Sequence, residues 1–260
     1  MPSHFGAIGL PVESAEEIER LLDRVVDKCE SLDVEGGRYL YWSASSGAEL
    51  WIQVDADGNY IGLNPHFWGK SRFRARIDRL LVRSDFTQLD GSYLIRLVGD
   101  ELGLDGLPIV FDVPDFKLHH RSLPEIVTFQ LTAFAHDELE IFESEEAFNE
   151  AEEEEWKDFE DMKFGLAPDF FFVPSFLLPP DEQPEAPEPF AFFAGFVLEA
   201  EKRITRLTGK SFWWASVKTF PGIIDVVIEP TTLTTEPKVG GVLKGYFYLS
   251  GRLVIQDQHE

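Results

Sequence analysis

The spacing of apolar positions changes character along the chain, and each change marks an element. Phe5 to Val12 is an apolar run short enough for a buried strand. Ser14 then stands three residues before Glu17, the spacing of a capping box. Ile18, Leu21, Leu22, Val25, Val26 and Cys29 follow at three- and four-residue steps, which predicts one amphipathic helix. Arg38 to Trp42 reads as a strand. In Ala48 to Val54 the apolar Ala48, Leu50, Ile52 and Val54 alternate with Glu49, Trp51 and Gln53, the pattern of a half-buried strand. Asp57, Gly58 and Asn59 make a hairpin turn, and Tyr60 to Leu63 returns from it. The first part of the chain therefore reads β-α-β-β-β.

The period of two continues beyond this module. Phe73, Ala75 and Ile77 alternate with Arg72, Arg74 and Arg76, so the next strand carries three guanidinium groups on one face. Tyr93 to Val98, Leu107 to Val113 and Glu125 to Ala135 are further strand-like runs. Ser144, followed by Glu145 and Glu146, predicts a second, acidic helix over 144–162. Phe164 to Leu178 is interrupted by Pro168 and Pro174 and reads as extended. Pro179 to Pro189 holds five prolines and four acids, a loop or linker. Ala191 to Ala200, Ser211 to Thr219, Gly222 to Glu229 and Val242 to Leu249 are four more strands. The expected class is α+β, predominantly antiparallel β. One module spans 1–85, and a β-rich region with barrel- or sandwich-like closing strands spans 86–260.

Charge narrows the partners. The 260 residues carry 23 basic and 47 acidic side chains, a formal charge of −24. Such a surface repels phosphate backbones and anionic membranes, so neither is an expected partner. Fourteen carboxylates against one lysine fall between Asp137 and Asp161, about half the excess, and a basic protein could meet that face. The single cysteine, Cys29, permits no intrachain disulfide and no Cys-based zinc site. No signal peptide or run of about 18 apolar residues is visible, and the expected location is cytoplasmic.

The β-α-β-β-β order, with the opening segment from His4 to Ser14, resembles a vicinal-oxygen-chelate module of the glyoxalase and bleomycin-resistance type. That resemblance implies a divalent metal held by His4 and a second ligand in the fourth strand. The matching run from Tyr60 to Trp68 has no carboxylate, and His66 stands past the expected strand end. Such modules work in pairs, so a partner would come from the second half of the chain or from a second copy in a homodimer. The closing strands, ending with Tyr246 to Arg252, are loosely similar to a small barrel of the oligonucleotide/oligosaccharide-binding type. As a whole the chain resembles an uncharacterised bacterial family.

Candidate chemistry is sparse. Two histidines are too few for a catalytic metal centre without a third ligand. Asp55, Asp57 and Asn59 lack calcium-loop spacing and make a hairpin. Cys29 falls on an apolar helix stripe, where a thiol is packing. Trp51 is the anomaly: it shares a strand face with Glu49 and Gln53, so that face is either covered or binds something. The reading is a non-catalytic module for a small molecule or a protein, without a cofactor, with His4, Trp51, Asn64 and His66 as its ligand-binding residues. The alternatives are a metal-dependent enzyme of the vicinal-oxygen-chelate type with His4 as ligand, and an acidic scaffold of the immunity-protein kind that binds a basic partner.

Overall fold

The computed structural model describes residues 3–82, 87–98, 106–119, 124–136, 139–155, 167–177 and 187–255. The opening apolar run does not form a strand. Gly6–Ile8 is a 3-10 turn closed by Gly9 at φ 73°, and Leu10 N–H donates back to the Phe5 carbonyl. A Cβ at Gly9 would come within 2.9 Å of the Lys210 carbonyl, so the left-handed turn and its close approach both require glycine. Ala7, Ile8 and Leu10 plug the core from this turn. Helix α1 (Ala15–Val25) follows the capping signal. Glu17 N–H donates to Ser14 Oγ at 3.3 Å, and Glu13 N–H to Glu17 Oε2 at 2.8 Å. Cys29 lies just past this helix; its thiol donates to the Val25 carbonyl, and burial pushes it up to about 11.

Four antiparallel strands come next: β1 (Glu30–Val34), β2 (Gly37–Ser43), β3 (Ala48–Asp55) and β4 (Tyr60–Phe67), paired in chain order. The module is thus one helix and four strands, where the sequence pattern gives a strand, a helix and three strands. β1 carries no strong apolar signal, and β4 runs four residues beyond Leu63, placing His66 inside the strand. Pro65 is tolerated there because β4 is the sheet edge.

The second sheet begins at β5 (Phe73–Leu81), within the first expected module. It continues through β6 (Ser92–Leu97), β7 (Pro108–Asp112), β8 (Glu125–Ala135) and β9 (Glu140–Phe142). Helix α2 (Glu145–Glu155) intervenes, with Ala147 N–H donating to Ser144 Oγ; the rest of the expected acidic helix, to 162, lies outside the described residues. The chain closes with β10 (Phe172–Pro174), β11 (Phe190–Thr205), β12 (Lys210–Thr219), β13 (Gly222–Ile228) and β14 (Val242–Leu253).

The pairings close two rings that share one ladder. β11, β12, β13, β8 and β14 return to β11, all antiparallel except β13 with β8. β8, β5, β6, β7 and β14 return to β8, with a single parallel pair, Ser250 with Asp112, joining β7 to β14. Inward residues of both rings, among them Phe111, Phe129, Phe193, Val217, Ile224 and Phe247, form one continuous core. The N-terminal turn, α1 and the four-stranded sheet pack on the outside of this body. There Trp42, Leu50, Ile52 and Phe67 meet Phe134, Phe212, Trp214 and Val227. β3 is consequently buried on both faces. Among the described residues no helix is long and apolar enough to cross a membrane.

Candidate functional site

The four residues singled out from the sequence separate into two places. Trp51, Asn64 and His66 lie on the face of the four-stranded sheet that meets the shared β8–β14 ladder. His66 is fully buried, with Nδ1 2.8 Å from Ser250 Oγ and Nε2 2.9 Å from Gln130 Oε1. Gln130 Nε2 donates to Thr132 Oγ1 and to Asp225 Oδ2. Because that amide nitrogen is a donor twice, Gln130 Oε1 must accept from His66, which fixes the proton on Nε2 and leaves Nδ1 to accept from Ser250. Burial, and next the charge of Arg252, holds the imidazole down at about 3. His66 is therefore a neutral structural bridge.

Asp225 terminates the same network. It accepts from Lys70 N–H at 3.0 Å, Ser71 N–H at 2.7 Å, Trp214 Nε1 at 2.8 Å and Gln130 Nε2 at 3.0 Å. A carboxylate with this many donors anchors the turn that leads from β4 into β5. The Gly69 backbone lies so close that a Cβ there would sit 2.2 Å from the Asp225 carboxyl carbon.

Trp51 is covered. It is 1% exposed, meets Tyr39 edge-on, and lies under the Arg252 guanidinium at 4.4 Å. Its Nε1 donates to Glu49 Oε2 at 3.3 Å. Glu49 also accepts from Tyr41 and, through both oxygens, from Arg252 Nη1. Burial raises the Glu49 carboxyl against the opposing pull of Arg252. Arg252 Nε reaches Asp115 Oδ2 at 2.9 Å, and His119 Nε2 lies 3.2 Å from that oxygen without a well-directed hydrogen bond. Burial raises Asp115, but His119 and Arg252 outweigh it and hold the group below the usual carboxylate range. Asn64 donates to Asp90 Oδ1 at 2.7 Å, beside Gln53 on the same oxygen. The polar face of β3 is thus an internal seam between the two sheets.

His4 lies elsewhere, on the outer face of β11, β14 and the end of β8. There Phe190 pairs across strands with Tyr248 and Phe192 with Tyr246. His4 stacks on Tyr248 at 4.2 Å and 14°, and Phe190 stacks on Tyr246 at 5.2 Å and 2°. His136 stands edge-on to Phe190 at 5.9 Å and to Tyr246 at 6.3 Å, and it is 6.3 Å from His4. These five rings frame a box, and each is only partly buried. Burial, and secondarily His136, lowers His4 to about 4, so its ring is uncharged at neutral pH. Among the described residues no three His, Cys, Asp or Glu side chains converge as a metal site would need. The sequence signal for the box was the alternation of Phe190 with Phe192 and Tyr246 with Tyr248, outward positions in strands whose inward positions are equally apolar.

No protein-family model, curated protein or solved structure matches this chain.

Proposed function

We propose that the protein is a non-catalytic binding module whose recognition surface is the five-ring box of His4, His136, Phe190, Tyr246 and Tyr248. The ligand class is a small planar or ring-bearing molecule without net negative charge. The observation that carries this reading is the pair of parallel stacks, His4 on Tyr248 and Phe190 on Tyr246, set side by side on an outer sheet face. Aromatic faces held this way offer a flat, rigid platform with little entropy to lose on binding. His4 is uncharged there and adds a ring nitrogen to an apolar surface. The formal charge of −24 selects against polyanions.

The test is thermal stabilisation by indole, by a free purine base and by cellotriose. At least one probe should saturate below about 10 mM, an affinity of roughly 3 kcal/mol. Phe190→Ala and His4→Ala should each weaken it about tenfold. Tyr60→Ala, at a side chain 54% exposed in the other sheet, should leave it unchanged. Equal stabilisation of wild type and Phe190→Ala by every probe would remove the box as the binding surface.

A further inference from the structure

The four-stranded sheet ends in two edges of different character, both away from the aromatic box on β11 and β14. β4 forms one edge. It carries Pro65, which has no N–H to offer, and its pairing with β3 shifts register between Gln53 and Val54. Proline and bulges keep a foreign strand off an edge. β1 forms the other edge. It pairs with β2 alone, over Glu30–Val34, in one unbroken register, and holds neither proline nor bulge. In an antiparallel pair, alternate residues of an edge strand turn their N–H and C=O away from the partner. Among the described residues nothing hydrogen-bonds to the outer side of β1.

The two faces beside this edge differ in chemistry. Leu32 and Val34 lie on the side where Tyr39, Trp51 and Leu118 pack, and both are only partly buried. Ser31 and Asp33, one residue out of phase, lie on the other side and are exposed. Arg38 stands across from Asp33 in β2, so Asp33 has a cation on its inner flank and an open outer flank. Glu30 and Glu35, at the two ends of the strand, are exposed as well. From Ala15 to Arg38 the chain carries eight acids and four bases. Lys117, on the turn Phe116–Leu118 that adjoins β1, adds one more base and leaves a local charge of −3.

We propose that β1 is a docking edge for an extended basic peptide of a partner protein, which joins the sheet as a fifth strand. Main-chain hydrogen bonds supply the adhesion, and alternate side chains supply the specificity. Peptide residues on the Leu32 side are apolar and extend the surface of Leu32, Val34 and Leu118. Those on the Asp33 side are basic and close on its open flank. The chain's charge of −24 draws a cationic segment to the edge. A second copy of this chain brings the same acids to the same place, so self-pairing is disfavoured.

The experiment follows fluorescence anisotropy of a dye-labelled Lys-Val-Lys-Val-Lys-Val-Lys peptide titrated with the full chain. It should saturate below about 1 mM. The same peptide with proline in place of its central valine keeps the charge but cannot complete a ladder, and should bind about tenfold more weakly. Replacing its lysines with glutamates should abolish binding. Glu30→Lys with Asp33→Lys changes only exposed side chains and should weaken binding about tenfold. Glu150→Lys with Glu153→Lys makes the same charge change at exposed positions of α2 and should leave affinity within about twofold. No saturation by the lysine peptide overturns the proposal. Equal affinity for the proline peptide overturns strand addition, and equal losses in the two double variants overturn the assignment to β1. A dimer in sedimentation velocity that Glu30→Lys with Asp33→Lys disrupts would give the edge to a second copy and overturn the peptide.

Discussion

The His66 ring is held neutral inside the fold, and that neutrality makes stability depend on pH. Burial depresses its folded value to about 3, against an ordinary 6.5. As pH falls below the ordinary value, the unfolded chain takes up a proton that the folded chain refuses until about pH 3. The unfolded state binds more protons throughout that window. The contribution is therefore complete above the unfolded value and is lost progressively as the pH falls. At about pH 4.5 the unfolded ring is two pH units below its own value, which corresponds to a loss of about 2.7 kcal/mol relative to about pH 7.5. The comparison that isolates this effect uses His66→Gln. Glutamine keeps one donor and one acceptor for Gln130 and Ser250 but does not titrate. Urea unfolding followed by tryptophan fluorescence, from about pH 7.5 to about pH 4.5, gives the stability of each protein. His4 and the carboxylates titrate in both proteins and cancel in the difference. His66→Gln should be the less stable form at neutral pH, and the gap should narrow by about 2.7 kcal/mol on acidification. Parallel pH profiles would mean that His66 is not buried as a neutral group, and the reasoning would fail.

Two further predictions concern the seam between the sheets. Arg252→Ala leaves Glu49 and Asp115 buried without their cation and should cost about 3–5 kcal/mol in chemical denaturation. Adding Glu49→Gln should recover part of that, and a loss below about 1 kcal/mol in the single variant would show the pair to be solvated. Gly69→Ala brings a methyl group against a carboxylate that four donors hold in place. It should lower stability by about 1–3 kcal/mol, read as a drop in Tm, and an unchanged Tm would show that the Asp225 anchor yields.

What the sequence reveals here follows from the range of the interactions involved. The capping box at Ser14, the hairpin at Asp57 and the arginine alternation before β6 are local. Each was legible because the deciding contacts lie within a few residues. The opening run from Phe5 has no period, and its conformation is decided by Gly9 against Lys210, some two hundred residues away. Three strands run past the ends that the pattern predicts, Leu63, Ala200 and Leu249, because polar residues that break the apolar alternation continue a ladder paired with a neighbouring strand.

The anomaly at Trp51 pointed to a real feature but left its nature open. A tryptophan between Glu49 and Gln53 demands either a cover or a ligand. The cover is supplied by Arg252 and its neighbours, about two hundred positions along the chain. The same holds for single polar residues within otherwise apolar runs: Gln130 in β8, Asp225 in β13 and Ser250 in β14. Burying such groups unpaired costs about 1–3 kcal/mol each, so each implies a buried partner. The sequence marks that a partner is needed, but only the closure of the two rings brings these residues and His66 into one network. The seam absorbs three of the four residues that first suggested a ligand, and the binding surfaces proposed here lie on the outer face and the sheet edge that it leaves in solvent.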